Sequence, residues 1–102
     1  MSRYVLAPSA RDDLVSIRDF YLEEAGTRVA RQMLIELVEA FRTLARNPGI
    51  GHRRRELAGD RPVLFFAVRD YLIIYAAEAR PLEIVAIVHG SRDLPRFLDK
   101  RL

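Results

Sequence analysis

Four polar side chains with catalytic potential lie close together near the end of the chain. They are His89, Ser91, Arg92 and Asp93, with Gly90 among them. An imidazole can transfer protons, a guanidinium can stabilise phosphate charge, and a hydroxyl can act as a nucleophile once a base activates it. A serine-type hydrolase would also show a nucleophile elbow or an oxyanion-hole signature, and the sequence has neither. In a purely structural interpretation, the histidine packs or hydrogen-bonds, the glycine serves a turn, and the aspartate caps a helix.

The elements before this cluster predict a sheet that carries it. An apolar run of strand length, Leu82–Val88, leads directly into the cluster. Two earlier runs, Pro62–Val68 and Tyr71–Ala76, are separated only by Arg69 and Asp70, which predicts a β-hairpin. A sheet with one wet face would alternate polar and apolar residues, and these runs do not. Either the domain covers both faces itself or another chain covers one. Because only a short C-terminal segment remains, the pattern favours a partner surface on the second face.

The first half of the chain has the pattern of one strand and two helices. Residues Arg3–Ala7 are typical of a strand that Pro8 ends. Apolar residues then recur at helical spacing from Ala10 to Ala25, and Gly26 ends this helix. A second helical stripe extends from Ala30 to Leu44. The link is very short, so we expect an antiparallel helical hairpin that packs on the sheet.

Capping residues complete the prediction of the fold. Ser9 is predicted to cap the first helix, with Asp12 placed as in a capping box. Asp93 is predicted to cap a short last helix that carries the apolar Leu94, Phe97 and Leu98. The fold class is therefore α+β: an N-terminal strand, a helical hairpin, a small mainly antiparallel sheet and a C-terminal helix. With 102 residues we expect a single domain over residues 1–102.

The composition excludes several classes of protein. Half of the residues are hydrophobic and 30% are charged, which is typical of a folded globular domain. The chain has no cysteine, so disulfides and thiolate metal sites are excluded, and we expect no metal and no cofactor. No apolar run approaches the ~18 residues that span a bilayer, and the N-terminus lacks the apolar core of a signal peptide. We therefore expect a cytoplasmic protein without membrane contact.

Basic residues are concentrated in the second half of the chain. The whole net charge of +3 comes from residues after Leu44. The connection Pro48–Arg61 contains a run of three arginines, Arg53, Arg54 and Arg55. Such a run is either solvated surface or a patch for phosphate or an acidic partner. No aromatic residue interleaves it, so it gives no sign of stacking on single-stranded bases.

Short motifs follow one another in a recognisable order along nearly the whole chain. They are Tyr4-x-Leu6, Ala10-x-x-Asp13-Leu14-x-x-Ile17, Tyr21, Gly26, Leu37, Phe41, Leu44, Pro48, Gly51, Tyr71-Leu72-Ile73-Ile74-Tyr75 and Ile84 to Asp93. In this order and spacing, the chain resembles the ParE branch of the RelE/ParE toxin superfamily, the toxic partners of bacterial toxin–antitoxin operons.

The resemblance implies a toxin that a tightly bound antitoxin neutralises. The antitoxin is expected to be ParD-like, with a ribbon-helix-helix region, and operator DNA is expected to be contacted only through it. ParE-like members are described as poisoning DNA gyrase, and such systems are associated with plasmid stabilisation. RelE-like relatives cleave mRNA on the ribosome, so the fold alone does not decide between these activities.

The residues available for RNA cleavage are few. That reaction needs a base, an acid and cations on the phosphate, for which His89, Arg92 and Arg69 are the candidates. RelE-like nucleases resemble one another in clustered basic residues, often lysines, with a late tyrosine or histidine. Here no tyrosine follows Tyr75, and the only lysine is Lys100. The sequence therefore favours an inhibitor that binds gyrase over an enzyme. A ribosome-dependent endoribonuclease and a non-toxic antitoxin-binding relative are the alternatives.

Nine residues are predicted to contact the target or the antitoxin. The candidates are Arg53, Arg54, Arg55, Arg69, Tyr71, Tyr75, His89, Arg92 and Arg96. Among them, Arg92 is the residue best placed for contact, because it follows the end of a strand.

Overall fold

The computed structural model describes residues 3–102 and contains a four-stranded sheet in the order β1-β4-β3-β2. The elements are β1 (Tyr4–Leu6), α1 (Pro8–Arg46), a 3-10 turn (Pro48–Ile50), α2 (Arg55–Ala58), β2 (Leu64–Val68), β3 (Tyr71–Ala76), β4 (Leu82–His89) and α3 (Leu94–Arg101). Strand β4 pairs in parallel with β1 and antiparallel with β3, which also pairs antiparallel with β2. The predicted α+β fold with a mainly antiparallel sheet is confirmed.

Helix α1 is a helical hairpin that reverses at Gly26. Gly26 has φ 87° and ψ 175°, which is not helical and favours glycine. A straight helix of 39 residues would be ~58 Å long, whereas the molecule is only 39 Å in its longest dimension. Both halves reach the same core, the first through Ile17 and the second through Leu37. The predicted break and hairpin are therefore confirmed.

The first turn of α1 differs from the prediction. Ser9 does not cap the helix, because the helix begins at Pro8 and the cap position is Ala7, which makes no side-chain hydrogen bond. Proline suits the first helical position, since its fixed φ is already helical and it has no N–H to satisfy. The prediction treated Pro8 only as the end of a strand and placed the cap two residues too late.

The second face of the sheet is covered within the domain, which corrects the expectation of a partner surface there. Ala58 of α2 and Leu94 and Leu98 of α3 are buried in one cluster with Ile74 and Val85 of the sheet. The helical hairpin covers the other face. Helices therefore cover both faces of the sheet, which explains why the strand sequences are continuously apolar.

Tyr75 fixes the long connection after α1. Its hydroxyl donates to the carbonyl oxygen of Pro48 at 2.7 Å and accepts from the N–H of Gly51 at 2.9 Å. A Cβ at Gly51 would lie 2.4 Å from this hydroxyl oxygen, so the close approach requires glycine. His52 then forms an isolated antiparallel bridge with Phe65 of β2. The connection, which the sequence analysis treated as a loop, is thus anchored to the sheet and contains the short helix α2.

Candidate functional site

The polar cluster forms the corner between β4 and α3. The register places His89 opposite Tyr71 of β3. The N–H of Gly90 donates to the carbonyl of Asp70 at 2.8 Å, and the N–H of Arg92 donates to the carbonyl of His89 at 3.1 Å. These bonds turn the chain out of the sheet and leave His89 through Asp93 on the surface. We call residues 89–93 the strand-end corner.

The hydrogen bonds of His89 define its role in the corner. Its Nδ1 accepts from the N–H of Ser91 at 3.1 Å and lies 2.7 Å from the Ser91 Oγ. A backbone N–H can only donate, so the neutral ring carries its proton on Nε2 and has no free lone pair for general-base catalysis. The side chain of Asp93 instead accepts from the N–H of Arg96 at 3.4 Å and caps α3, as predicted. No hydrogen bond joins Asp93 to His89, so the three residues do not form a hydrolase triad.

Tyr71 is buried beneath the corner. Its ring contacts His89 edge-to-face, with centroids 5.4 Å apart, and Tyr21 of α1, with centroids 6.5 Å apart. Burial, with a smaller contribution from the Tyr21 phenol, raises the pKa of Tyr71 to about 12. The phenol therefore stays neutral near pH 7 and supports the corner from below. Tyr75 is completely buried and bonded within the chain, so it presents no open face to a partner.

Arg69 belongs to an ion pair rather than to the corner. It lies in the turn between β2 and β3 with φ 54°, an uncommon value for a residue with a side chain. Its Nε and Nη2 donate to the two carboxylate oxygens of Glu36, at 2.5 and 2.8 Å. The hydrogen bonds from Arg69, followed by that from Gln32, lower the pKa of Glu36 to about 2. The positive charge of Arg69 is therefore matched by this carboxylate, which weakens its attraction for a phosphate.

The three consecutive arginines lie in the connection before β2. Arg54 donates from Nε to Glu56 at 2.6 Å, and Arg55 lies 3.7 Å from Asp60. Arg53 is exposed and forms no ion pair within residues 3–102. Two of the three charges are thus matched locally, which reduces the strength of any anion patch here.

Basic side chains are instead concentrated along α3. A cleft of about 560 Å³ is lined by side chains of α1, the corner and α3. Its lining residues are Ser9, Arg92, Asp93, Arg96, Phe97, Lys100 and Arg101. Two guanidinium groups lie over the Phe97 ring, that of Arg101 at 4.8 Å from the centroid and that of Arg92 at 5.4 Å. Arg92 and Arg96, both predicted contact residues, are therefore neighbours in one basic cleft.

A second cleft adjoins the first at the edge of β4. It has a volume of about 250 Å³ and is lined by Asp13, Ser16, Ile17, Phe20, Tyr71, Ile87, Val88, His89, Arg92 and Phe97. A third, of about 280 Å³, brings Arg69, Tyr71 and His89 to one surface. The clefts thus contain Arg69, Tyr71, His89, Arg92 and Arg96, whereas Tyr75 and the three consecutive arginines line none of them.

Sequence reasoning missed the ion pair between Asp13 and Arg101. The two Nη atoms of Arg101 donate to the Asp13 carboxylate at 2.9 and 3.2 Å, and about a fifth of each side chain is exposed. Asp13 also accepts from the N–H of Ile87 at 3.0 Å, where β4 extends beyond the short β1. Asp13 was visible as a motif residue, but its partner lies 88 positions away, and nothing local connects the two.

The described residues offer no metal site and no membrane span. Among residues 3–102, no three His, Cys, Asp or Glu side chains converge as a ligand set. In the same range, no helix has both the length and the apolar character to cross a bilayer.

The structure is a small α+β domain in which helices cover both faces of the sheet, as in the family that the sequence resembles. Comparison with known proteins identifies the family. Residues 4–94 match the model of the ParE toxin of the type II toxin–antitoxin system parDE. The chain belongs to the ParE toxin family. It is 30% identical over 104 residues to proteins named Toxin ParE1 from two Mycobacterium tuberculosis strains, CDC 1551 / Oshkosh and H37Rv. The alignment covers 95% of this chain and 98% of each relative.

A solved structure has the same fold. The chain superposes with a TM-score of 0.73 on a chain from the chromosomal ParDE system of P. aeruginosa. The match covers 87% of this chain and 96% of the other, at 19% identity. This structural similarity supports the fold, and the sequence matches support the family.

Proposed function

We propose that this ParE-family chain arrests growth by binding DNA gyrase, and that a cognate ParD-like antitoxin holds it inactive in the cytoplasm. Operator DNA is then contacted through the antitoxin. The observation that carries the proposal is the arrangement of the three nuclease candidates. Arg69 is bound to Glu36, and Nδ1 of His89 is occupied by Ser91. The Nδ1 lone pair of His89 and the charge of Arg69 are thus already matched within the chain, an arrangement that favours binding over cleavage.

The experiment compares gyrase inhibition with mRNA cleavage. Purified protein is added to gyrase and relaxed plasmid, and supercoiling and DNA breaks are measured. We expect less supercoiling and more cleaved DNA, with intact message when the protein is induced alone in bacteria. Unaffected supercoiling together with cleavage of message at the ribosomal A site would overturn the proposal in favour of the nuclease. Growth without arrest would indicate a non-toxic relative that only binds an antitoxin.

The ribosome-dependent nuclease is the second candidate. The observation in its favour is that His89 and Arg92 line one cleft at the edge of β4. In that case His89→Gln would abolish message cleavage. A binding inhibitor would retain most of its effect on gyrase, because the reaction does not pass through the imidazole.

Arg92 provides the sharpest test of the corner itself. It is exposed and forms no ion pair among residues 3–102, so its charge is available to a partner. We expect Arg92→Ala to weaken gyrase inhibition roughly tenfold, as for an arginine near the centre of an interface. Arg11→Ala, at an exposed arginine on α1, is the matched control and is expected to inhibit like the wild type. Equal inhibition by both variants at matched concentration would remove the corner from the proposed target surface.

A further inference from the structure

The two clefts beside α3 adjoin each other. They share Arg92 and Phe97, one cleft extending towards the end of α3 and the other towards the edge of β4. We call their combined lining the α3 groove. Its basic end is formed by Arg96 and Lys100, and its apolar end by Phe20. The family match does not assign a ligand to this groove.

The basic end has more positive charge than its own carboxylates can match. Arg96 and Lys100 are exposed and form no ion pair within residues 3–102. The two carboxylates that line the groove are already engaged, because Asp93 caps α3 and Asp13 binds Arg101. The cations therefore favour an anionic ligand with at least two charges.

The apolar end offers space for a hydrophobic side chain. Phe20 is 54% exposed, which is unusual for phenylalanine, and it lines the smaller cleft together with the buried Ile17 and Ile87. The cleft volume of about 250 Å³ is sufficient for one large side chain. An anionic ligand that also carries an apolar anchor would use both ends of the groove.

Two of the three aromatic rings in the groove are covered, and only Phe20 has an exposed ring. Base stacking needs an open ring face. Two guanidinium groups lie over the Phe97 ring, and Tyr71 is 8% exposed beneath His89. Peptide geometry also fits the cations. Arg96 and Lys100 are four residues apart on α3, a rise of ~6 Å, and alternate side chains of an extended peptide are ~6.6 Å apart.

We propose that the α3 groove binds an acidic segment of the antitoxin, with an apolar side chain near Phe20 and carboxylates on Arg96 and Lys100. This inference rests on the proposed function, since it assumes that an antitoxin exists. A segment placed there would also cover Arg92, which provides a physical means of keeping a target away from the corner.

The first experiment measures the binding of defined probes by fluorescence anisotropy. The reference peptide carries phenylalanine followed by glutamates at alternate positions. One control peptide replaces the phenylalanine with alanine, and another replaces the glutamates with glutamine. We expect the reference peptide to bind roughly tenfold more tightly than either control. An oligothymidylate of equal charge that binds more tightly than the peptide would overturn the proposal in favour of a nucleic acid.

Charge-reversed variants locate the binding on the protein. Arg96→Glu combined with Lys100→Glu should weaken the reference peptide roughly tenfold or more. Arg28→Glu combined with Arg31→Glu applies the same change of charge at exposed residues of α1 that do not line the groove. This control should bind like the wild type at matched ionic strength. Equal weakening in both double variants would mean general charge attraction and would overturn the proposal.

Two further measurements keep the outcome interpretable. If charge reversal unfolds α3, the variant Arg96→Gln combined with Lys100→Gln replaces it in the binding test. Thermal unfolding verifies that each variant is folded. The protein encoded beside the gene is titrated against the same variants, and an unchanged affinity would overturn the proposal while leaving the proposed function intact. Failure of the wild type to affect gyrase would instead contradict the proposed function, and the peptide affinities would still decide whether the groove accepts an acidic segment.

Discussion

His89 shows how a residue suited to proton transfer can be committed to the turn that follows its strand. Its Nδ1 accepts from Ser91, and its ring stands edge-on to Tyr71. Both contacts depend on the backbone of residues 89–91, which sets where the ring lies. The residue type suggested chemistry, whereas the hydrogen bonds indicate a contribution to the turn. The sequence could not reveal this, because the protonated nitrogen is determined by the partner of the other nitrogen.

Gly51 is a residue whose replacement tests the anchoring of the long connection. We expect Gly51→Ala to lower the free energy of unfolding by ~1–3 kcal/mol, because its Cβ would meet the Tyr75 hydroxyl at 2.4 Å and the Phe65 carbonyl oxygen at 2.9 Å. Urea denaturation measures the loss. Gly49→Ala is the matched control, since nothing lies within 4 Å of a Cβ there. Similar stability of the two variants would contradict the close packing at Gly51.

Asp13 tests the ion pair that sequence reasoning missed. Asp13→Asn leaves the Arg101 guanidinium partly buried opposite a neutral amide and weakens the acceptor for Ile87 N–H. We expect a loss of about 2 kcal/mol, less than for a fully buried pair, because the two side chains remain about a fifth exposed. Asp12→Asn is the control, an exposed neighbour in the same helical turn. Asp13→Asn unfolding at the same urea concentration as Asp12→Asn would show that the pair contributes nothing.

Among the elements, the turn of the β2–β3 hairpin is joined to α1 by a bidentate ion pair, in addition to the apolar packing between them. Arg69 occupies the turn with φ 54°, and both of its donors face Glu36 on the second half of the helical hairpin. Because a positive φ favours glycine, the backbone at Arg69 is strained, and the ion pair with Glu36 accompanies that strain. The position of the turn was predicted correctly from the sequence. The pairing of Arg69 with Glu36 was not predicted.

The Arg69–Glu36 contact predicts a pH dependence. The folded pKa of Glu36 is about 2, below the ordinary value of 4.5, so the contact stabilises the fold at neutral pH. Its contribution is expected to fall as pH drops from about 4.5 towards 2, as the carboxylate becomes protonated. An NMR titration of the Glu36 carboxyl carbon measures the midpoint. In Arg69→Gln the midpoint should rise towards the ordinary value, and an unchanged midpoint would assign the shift to another cause.

Element boundaries were predictable where local chemistry alone sets them. β3 was predicted at Tyr71–Ala76, as observed, and Gly26 was predicted as the end of the first helix. The hairpin turn at Arg69 and the cap at Asp93 were also correct in position. In each case a strand-length apolar run, a glycine or a capping aspartate fixes the outcome without distant contacts.

Other features depended on contacts between distant residues. The coverage of the second face requires α2, a helix of only four residues, to pack beside α3. A helix this short has little intrinsic stability and is too short to show a periodic apolar pattern in the sequence. Tyr75 belonged to the family signature and was therefore expected at a binding surface. Its strand position faces the core, where its hydroxyl bonds to the connection after α1.

For the whole molecule, the sheet separates two cores that must both form. The helical hairpin packs on one face and the two shorter helices pack on the other. Strand β4 contributes to both cores and leads directly into the strand-end corner. The corner is therefore positioned by both layers, and damage to the second core would disturb it even though no residue of the corner is changed.

Leu98 tests this dependence because it lies in the second core and is 0% exposed. We expect Leu98→Ala to lower the free energy of unfolding by about 3 kcal/mol, a large share of the roughly 5–15 kcal/mol typical of a domain. Leu102→Ala is the control, since Leu102 is 47% exposed and its loss should cost under ~0.5 kcal/mol. Urea denaturation measures stability, and gyrase inhibition is compared at a low temperature where both variants are folded. Inhibition lost on warming in Leu98→Ala alone would connect activity to the second core, whereas equal stability of the variants would show that α3 is dispensable for the fold.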